Sequence, residues 1–182
     1  LLHDWGYTSI PLSLLVKAIT QGAPLPPRPM LLTIDDGDIS VYNNAWPVMK
    51  KYGYTGVVYI VSNRLQVDGY MNAEQIRALA DDGWEVGSHS MSHADLTKSH
   101  SKDWNSLPSE TKQSRLDLEA AIGVPVRTFA YPFGFMDDAV GRAVHNAGYE
   151  SAVGLGYTAD QWPGMLFYLW RREIKGDYPL KT

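Results

Sequence analysis

A chain of 182 residues is long enough for one domain with a sizeable core, and two full domains would each be small. Hydrophobic residues make up 45% of the chain and charged residues 20%, which excludes a disordered polymer. A net charge of -4 argues against a nucleic-acid partner, and the lack of cysteine excludes disulfides, thiolate metal sites and a cysteine nucleophile.

The first predicted elements are a helix and a strand. Residues 1–7 are typical of the end of a helix, so we expect a single domain over residues 1–182 that is cut short at its N-terminus. A proline-rich lead-in then precedes the near-continuous apolar run 30–34, which predicts a parallel strand buried on both faces. Between them, one helix face carries four apolar residues: Leu12, Leu15, Val16 and Ile19.

A glycine recurs wherever a helix-like segment meets an apolar, β-prone one, at Gly53, Gly83, Gly123 and Gly148. Glycine tolerates the left-handed conformation that often ends a helix. A capping-box pattern predicts a helix over residues 72–79, and another helix is predicted over residues 110–122. This alternation indicates a parallel sheet, either doubly wound or closed into a barrel, with reactive residues at the carboxyl ends of its strands.

Chemically capable residues follow two of the predicted strands. Asp35 and Asp36 are adjacent carboxylates that point in different directions, so one can bind a cation while the other accepts a proton. His89 and His93, spaced i and i+4, would share a metal if their segment were helical. Two neutral imidazoles and one carboxylate form a ligand set that suits Zn²⁺ best, and Co²⁺, Ni²⁺ or Fe²⁺ could substitute. The alternatives are an Asp-Asp-Gly turn and a pair of surface histidines.

Two later segments have open interpretations. In residues 127–134, Pro132 fixes a turn and Gly134 permits an unusual backbone angle, which could aim the Phe133 N–H at a substrate oxygen. A simple Pro-Phe-Gly turn explains the same residues equally well. The apolar, aromatic run 164–170 is predicted to be a buried strand; if exposed, it would be a patch for association with a membrane or polymer.

Together these segments resemble the NodB-homology polysaccharide deacetylases of carbohydrate esterase family 4. The family motif T-F-D-D-G corresponds to residues 33–37, H-[ST]-x-x-H to residues 89–93, and the R-x-P-Y-G-like motif to residues 130–134. Residues 129–134 resemble the corresponding segment of the branch that deacetylates poly-β-1,6-N-acetylglucosamine in biofilm matrices. The resemblance implies an α/β fold, a distorted, incomplete (β/α) TIM-like barrel short of eight units.

The resemblance also implies roles for individual residues. Asp36, His89 and His93 would hold a divalent metal, most simply Zn²⁺, while Asp35 would be the general base. The Phe133 N–H would stabilise the oxyanion. Two neighbours of Phe133 are expected to contact substrate or support the site: Tyr131 and Pro132.

The sequence departs from the family pattern in two places. Ala130 stands where an arginine usually orients the base, and Arg171 and Arg172, in the strand-like segment 169–174, are candidates to replace that arginine. No late Leu-x-x-His motif follows, so the resemblance implies that the general acid lies before Leu1.

The implied activity is removal of N-acetyl groups from an N-acetylglucosamine polysaccharide. We expect a monomer outside the bacterial cell or in its envelope, associated with the cell or membrane surface, whose signal segment is not in this chain. Three alternatives stay open: a deacetylase of peptidoglycan, chitin or xylan or a related small-molecule amidohydrolase, a carbohydrate-binding domain with little turnover, and a purely structural βα domain. The last leaves the strand-end Asp and His residues without a role.

Overall fold

The computed structural model describes residues 1–103 and 105–174. Within these ranges the strands are β1 (Thr8–Ser9), β2 (Pro29–Met30), β3 (Thr33–Ile34), β4 (Val57–Ile60), β5 (Glu85–Ser88), β6 (Thr128–Ala130), β7 (Ser151–Leu155) and β8 (Leu169–Arg171). The α-helices are α1 (Leu12–Gln21), α2 (Trp46–Lys51), α3 (Ala73–Asp81), α4 (Leu96–Lys102), α5 (Ser106–Pro108), α6 (Ser114–Ile122) and α7 (Asp138–Asn146). Short π-helical turns lie at Val41–Ala45 and Ser109–Gln113, and 3₁₀ turns at Ser62–Arg64, Pro132–Gly134 and Pro163–Met165.

The main sheet contains strands β3 to β8 in chain order, and every neighbouring pair is parallel. A doubly wound sheet would reverse its strand order at a switch point, whereas an unbroken order is the pattern of a barrel. The sheet curls into a half-barrel, and the predicted incomplete (β/α) barrel is confirmed. Strands β1 and β2 pair with each other in a separate parallel ribbon.

Apolar side chains cover both faces of this sheet. In β4, Val58 and Ile60 belong to a large outer cluster with α3, α6 and α7, while Val57 and Tyr59 belong to a smaller inner cluster. The apolar face of α1 packs on the inner cluster, as its sequence pattern predicts. Because Glu85, the first residue of β5, binds the first amides of α1, this helix lies at the amino ends of the strands. No helix in the described part of the chain is long and apolar enough to cross a membrane.

Other predicted elements are confirmed in place and type. The capping box of α3 is complete, since Asn72 and Gln75 each accept the backbone N–H of the other at 2.9 Å. The helix predicted over 110–122 forms as a π-helical turn followed by α6, and Gly123 ends it in the left-handed conformation.

Two predicted strands are wrong in extent. The run 30–34 is divided between β2 and β3, and all five residues are partly exposed, because β2 pairs with β1 and β3 is an edge strand paired only with β4. In the run 164–170, Pro163 begins a 3₁₀ turn, because its fixed φ suits a helical first turn. Strand β8 therefore starts only at Leu169 and ends at Arg171.

The contact between Glu85 and α1 gives a stability prediction. Pro11 precedes α1 and supplies no side-chain cap, so the Glu85 carboxylate, which accepts the Leu12 N–H at 2.7 Å, takes that role. Glu85→Ala should lower the free energy of unfolding by about 1 kcal/mol, as loss of an N-cap does. Urea unfolding followed by circular dichroism measures it. Glu74→Ala, at an exposed position of α3, is the control, and an equal loss in both variants would contradict the capping role.

Candidate active site

The side chains predicted to carry chemistry meet at the carboxyl ends of the strands. Asp35 and Asp36 follow β3, and His89 follows β5 directly, with His93 a few residues later. One ligand atom from each of Asp36, His89 and His93 lies within 4.8 Å of the others. A carboxylate and two imidazoles form a donor set that fits a divalent metal such as Zn²⁺.

His89 is held in an orientation suited to metal binding. Its Nδ1–H donates to the Ala130 carbonyl at 2.8 Å, which leaves Nε2, 3.8 Å from Asp35 Oδ2, to face the cluster. The residue is only 2% exposed. Burial lowers the pKa of His89 and outweighs the attraction of the nearby carboxylates, so the neutral imidazole that a metal requires is favoured.

The segment that carries both histidines is a loop, so the helical premise of the prediction is wrong. Ser90 and His93 have left-handed backbone angles, with φ of 67° and 62°. This conformation still brings the two imidazole rings to a centroid distance of 4.8 Å. His93 Nε2 lies 3.4 Å from Asp36 Oδ1, so the loop delivers the second histidine to the carboxylate.

Asp35 is held by an arginine from the last strand. Arg171 Nη1 and Nη2 donate to its two carboxylate oxygens at 2.7 and 2.8 Å, and Nη1 also donates to Thr33 Oγ1 at 3.0 Å. Burial raises the pKa of Asp35, but the hydrogen bonds and charge of Arg171 outweigh burial and hold the pKa below its usual value. Of the two arginine candidates, Arg171 therefore makes the contact, whereas Arg172 is exposed.

Asp36 also has an arginine partner, which the sequence analysis missed. Arg64 Nη1 donates to Asp36 Oδ1 at 2.7 Å, and its guanidinium stacks on the ring of Tyr70 at 4.9 Å. Arg64 ends the 3₁₀ turn that follows β4. Its place shortly after the end of β4 is the signal in the sequence that marks Arg64 as a candidate.

The third motif forms a tight turn beside the cluster. Phe133 itself is left-handed, with φ of 60°, as is Gly134, where an added Cβ would meet the Leu155 side chain at 2.7 Å. The half-exposed Phe133 ring packs edge-on against His93 at a centroid distance of 4.7 Å. The Phe133 side chain thus lies next to His93.

Tyr131 and Pro132 are both buried at the start of this turn. The Tyr131 ring is fully buried and its hydroxyl donates to the Phe167 carbonyl at 2.8 Å. Pro132 is buried at the first position of the 3₁₀ turn. Both side chains pack into the core and support the turn that carries Phe133, and a supporting role is one of the two expected for them.

The chain matches a family model and several known proteins. The family model for polysaccharide deacetylases matches residues 22–152. The Bacillus subtilis (strain 168) protein YxkH is 25% identical over 157 residues, which cover 84% of this chain and 53% of YxkH. A poly-β-1,6-N-acetyl-D-glucosamine N-deacetylase of Staphylococcus aureus (strain MRSA252) is 24% identical over 141 residues, covering 71% of this chain and 49% of that protein. The chain thus spans about half the length of these curated relatives.

A solved structure shows the same fold. The Streptococcus pyogenes deacetylase PplD, in complex with acetate, superimposes with a TM-score of 0.86 at 21% sequence identity. The alignment covers 95% of this chain and 76% of that one.

The contribution of the Arg171–Asp35 ion pair to the free energy of unfolding can be tested by substitution of Arg171. Arg171→Met removes the cation from a carboxylate whose side chain is 32% exposed, and we expect the free energy of unfolding to fall by about 2 kcal/mol, less than for a fully buried pair. Arg172→Met, the same change at the next residue, should alter it by less than about 0.5 kcal/mol. Denaturant unfolding of the metal-free proteins measures both, and equal losses would rule out a special role for Arg171.

Proposed function

The chain belongs to the polysaccharide deacetylase family, and on that premise we propose that it removes N-acetyl groups from an N-acetylglucosamine polymer by metal-dependent hydrolysis. The observation that carries the proposal is the cluster of Asp36, His89 and His93 within 4.8 Å, with the carboxylate of Asp35 beside it. A metal site flanked by an ionised carboxylate is suited to activate water for attack on an amide carbonyl.

Each residue has a separate task in the proposed reaction. Asp36, His89 and His93 hold the cation, for which Zn²⁺ is the best match and Co²⁺ or Ni²⁺ could substitute. When bound, such a cation lowers the pKa of a water and polarises the acetamide carbonyl. Asp35 accepts a proton from the attacking water, and Arg171 keeps that carboxylate ionised and fixed in direction. The C–N bond then breaks, acetate and the sugar amine leave, and the proton taken from water balances the one that the amine nitrogen gains.

The turn of the third motif completes the proposed site. The Phe133 N–H donates to the oxyanion that forms from the acetamide oxygen, a contact of a kind worth about 3 kcal/mol. The left-handed backbone at Phe133 and the contact of its ring with His93 support this placement, because they fix the peptide relative to the histidine.

The polymer is proposed to be poly-β-1,6-N-acetylglucosamine of a biofilm matrix. The relative from Staphylococcus aureus bears that substrate in its name, and residues 129–134 resemble the same branch.

Because a matrix polymer lies outside the cell, we propose an extracellular or envelope location. Association with the cell surface and a monomeric state belong to the same proposal. The exposed aromatic rings of Tyr157 and Trp162 would suit contact with the cell surface.

Two matched substitutions separate metal binding from proton transfer. Asp36→Asn should abolish both zinc binding and acetate release, because an amide oxygen is a poor ligand for the cation. Asp35→Asn should retain zinc and lower the rate of acetate release by about 10²- to 10⁴-fold, the usual contribution of a general base. Zinc titration by calorimetry and an acetate assay provide the two measurements. If Asp36→Asn keeps both properties, the proposed metal site is wrong.

The substrate is tested with defined oligosaccharides. We expect zinc-loaded protein to release acetate from β-1,6-linked N-acetylglucosamine oligomers and far less from β-1,4-linked chitin oligomers. The reason is that the linkage determines where the neighbouring sugar rings lie relative to the site. Equal release from both would contradict the linkage preference. Binding of the β-1,6 oligomers without acetate release, with metal present, would instead support a carbohydrate-binding domain.

A further inference from the structure

The loop over residues 89–93 holds an uncommon backbone conformation. Two of its non-glycine residues, Ser90 and His93, are left-handed, which costs on the order of 1 kcal/mol or more for each. Such a conformation persists only where surrounding contacts fix it. The contacts that fix this loop therefore decide where the second histidine lies.

The Glu110 side chain accepts three hydrogen bonds from the middle of this loop. Its Oε2 accepts the backbone N–H of Met91 at 3.0 Å and of Ser92 at 2.9 Å, and its Oε1 accepts the Ser92 hydroxyl at 2.5 Å. Glu110 is only 9% exposed and lies in the π-helical turn Ser109–Gln113. A carboxylate buried to this degree needs hydrogen-bond donors, and here the donors come from the loop between the histidines.

The opposite side of the loop is fixed by the turn after β4. The Ser62 N–H donates to the Ser90 carbonyl at 3.1 Å, and the Asn63 N–H donates to the Met91 carbonyl at 3.0 Å. Met91 is thus held at its N–H by Glu110 and at its carbonyl by Asn63. A third contact closes the loop on itself, because the His93 N–H donates to Ser90 Oγ at 2.9 Å.

From these contacts we propose that Glu110 is a positioning residue for the metal site, which holds the 89–93 loop so that both histidines reach Asp36. The inference rests on the metal site of the proposed function. Glu110 lies outside the three family motifs at residues 33–37, 89–93 and 130–134. The length of its side chain sets the affinity for metal, and its negative charge does not.

Two conservative substitutions distinguish reach from charge. Glu110→Asp keeps the charge but shortens the side chain by one methylene, so the loop amides lose their acceptor. Glu110→Gln removes the charge, but its carbonyl can still accept the two amides and its NH₂ can donate to Ser92 Oγ. We expect Glu110→Asp to weaken zinc binding about 10- to 100-fold, as loss of a supporting contact around a metal site does, and Glu110→Gln to bind nearly as well as the unchanged protein.

The control is Glu119→Asp in α6. Glu119 also fixes a loop, since it accepts the Val126 N–H at 2.9 Å and the Arg115 Nε–H at 3.2 Å, but its contacts lie away from the histidines. Urea unfolding should show some loss of stability in both aspartate variants, and competition with a zinc chelator should show weakened binding in Glu110→Asp alone.

The outcomes separate this inference from the proposed function. If Glu110→Asp binds zinc as tightly as the unchanged protein, or if Glu110→Gln is the weaker binder, the positioning role of Glu110 is wrong while the metal site stands. If the unchanged protein itself binds no zinc, the metal site fails and the role of Glu110 fails with it.

Discussion

The ion pair between Arg171 and Asp35 is the contact on which the site depends. Arg171 ends β8, the last strand of the sheet, and Asp35 follows β3, the first strand. These strands lie at opposite ends of the strand order, so their side chains meet only because the sheet curls. The same bond holds the sheet ends together and keeps the proposed base ionised. Fold and chemistry are linked at this point.

The remaining parts of the site show how adjacent carboxylates can serve different purposes. Asp35 is bound by Arg171 and Asp36 by Arg64, so each negative charge has its own partner and its own direction. His89 is fixed through Ala130 of the neighbouring strand. Five strands or the turns after them thus contribute to one small region, which is the behaviour expected for the carboxyl ends of a parallel barrel.

The sequence predicts well what depends on periodicity and on strand ends. Parallel strands bring their carboxyl ends to one edge, so Asp36 and His89 could be placed together without coordinates. Which of Arg171 and Arg172 points inward could not be predicted, since neighbouring strand residues face opposite sides and the register was unknown. Glu110 gave no local signal, because its role arises from a tertiary contact with a distant loop. The run 164–170 was misassigned because Pro163 begins a turn that apolar content alone does not reveal.

Anomalous diffraction would locate a metal bound by Asp36, His89 and His93. Crystals of the protein grown with zinc would be measured at the zinc absorption edge. We expect one strong peak within about 2.2 Å of a carboxylate oxygen of Asp36 and of a ring nitrogen of both His89 and His93. A map with no peak between these three side chains at saturating zinc, or with the strong peak at other residues, would contradict the proposed metal site.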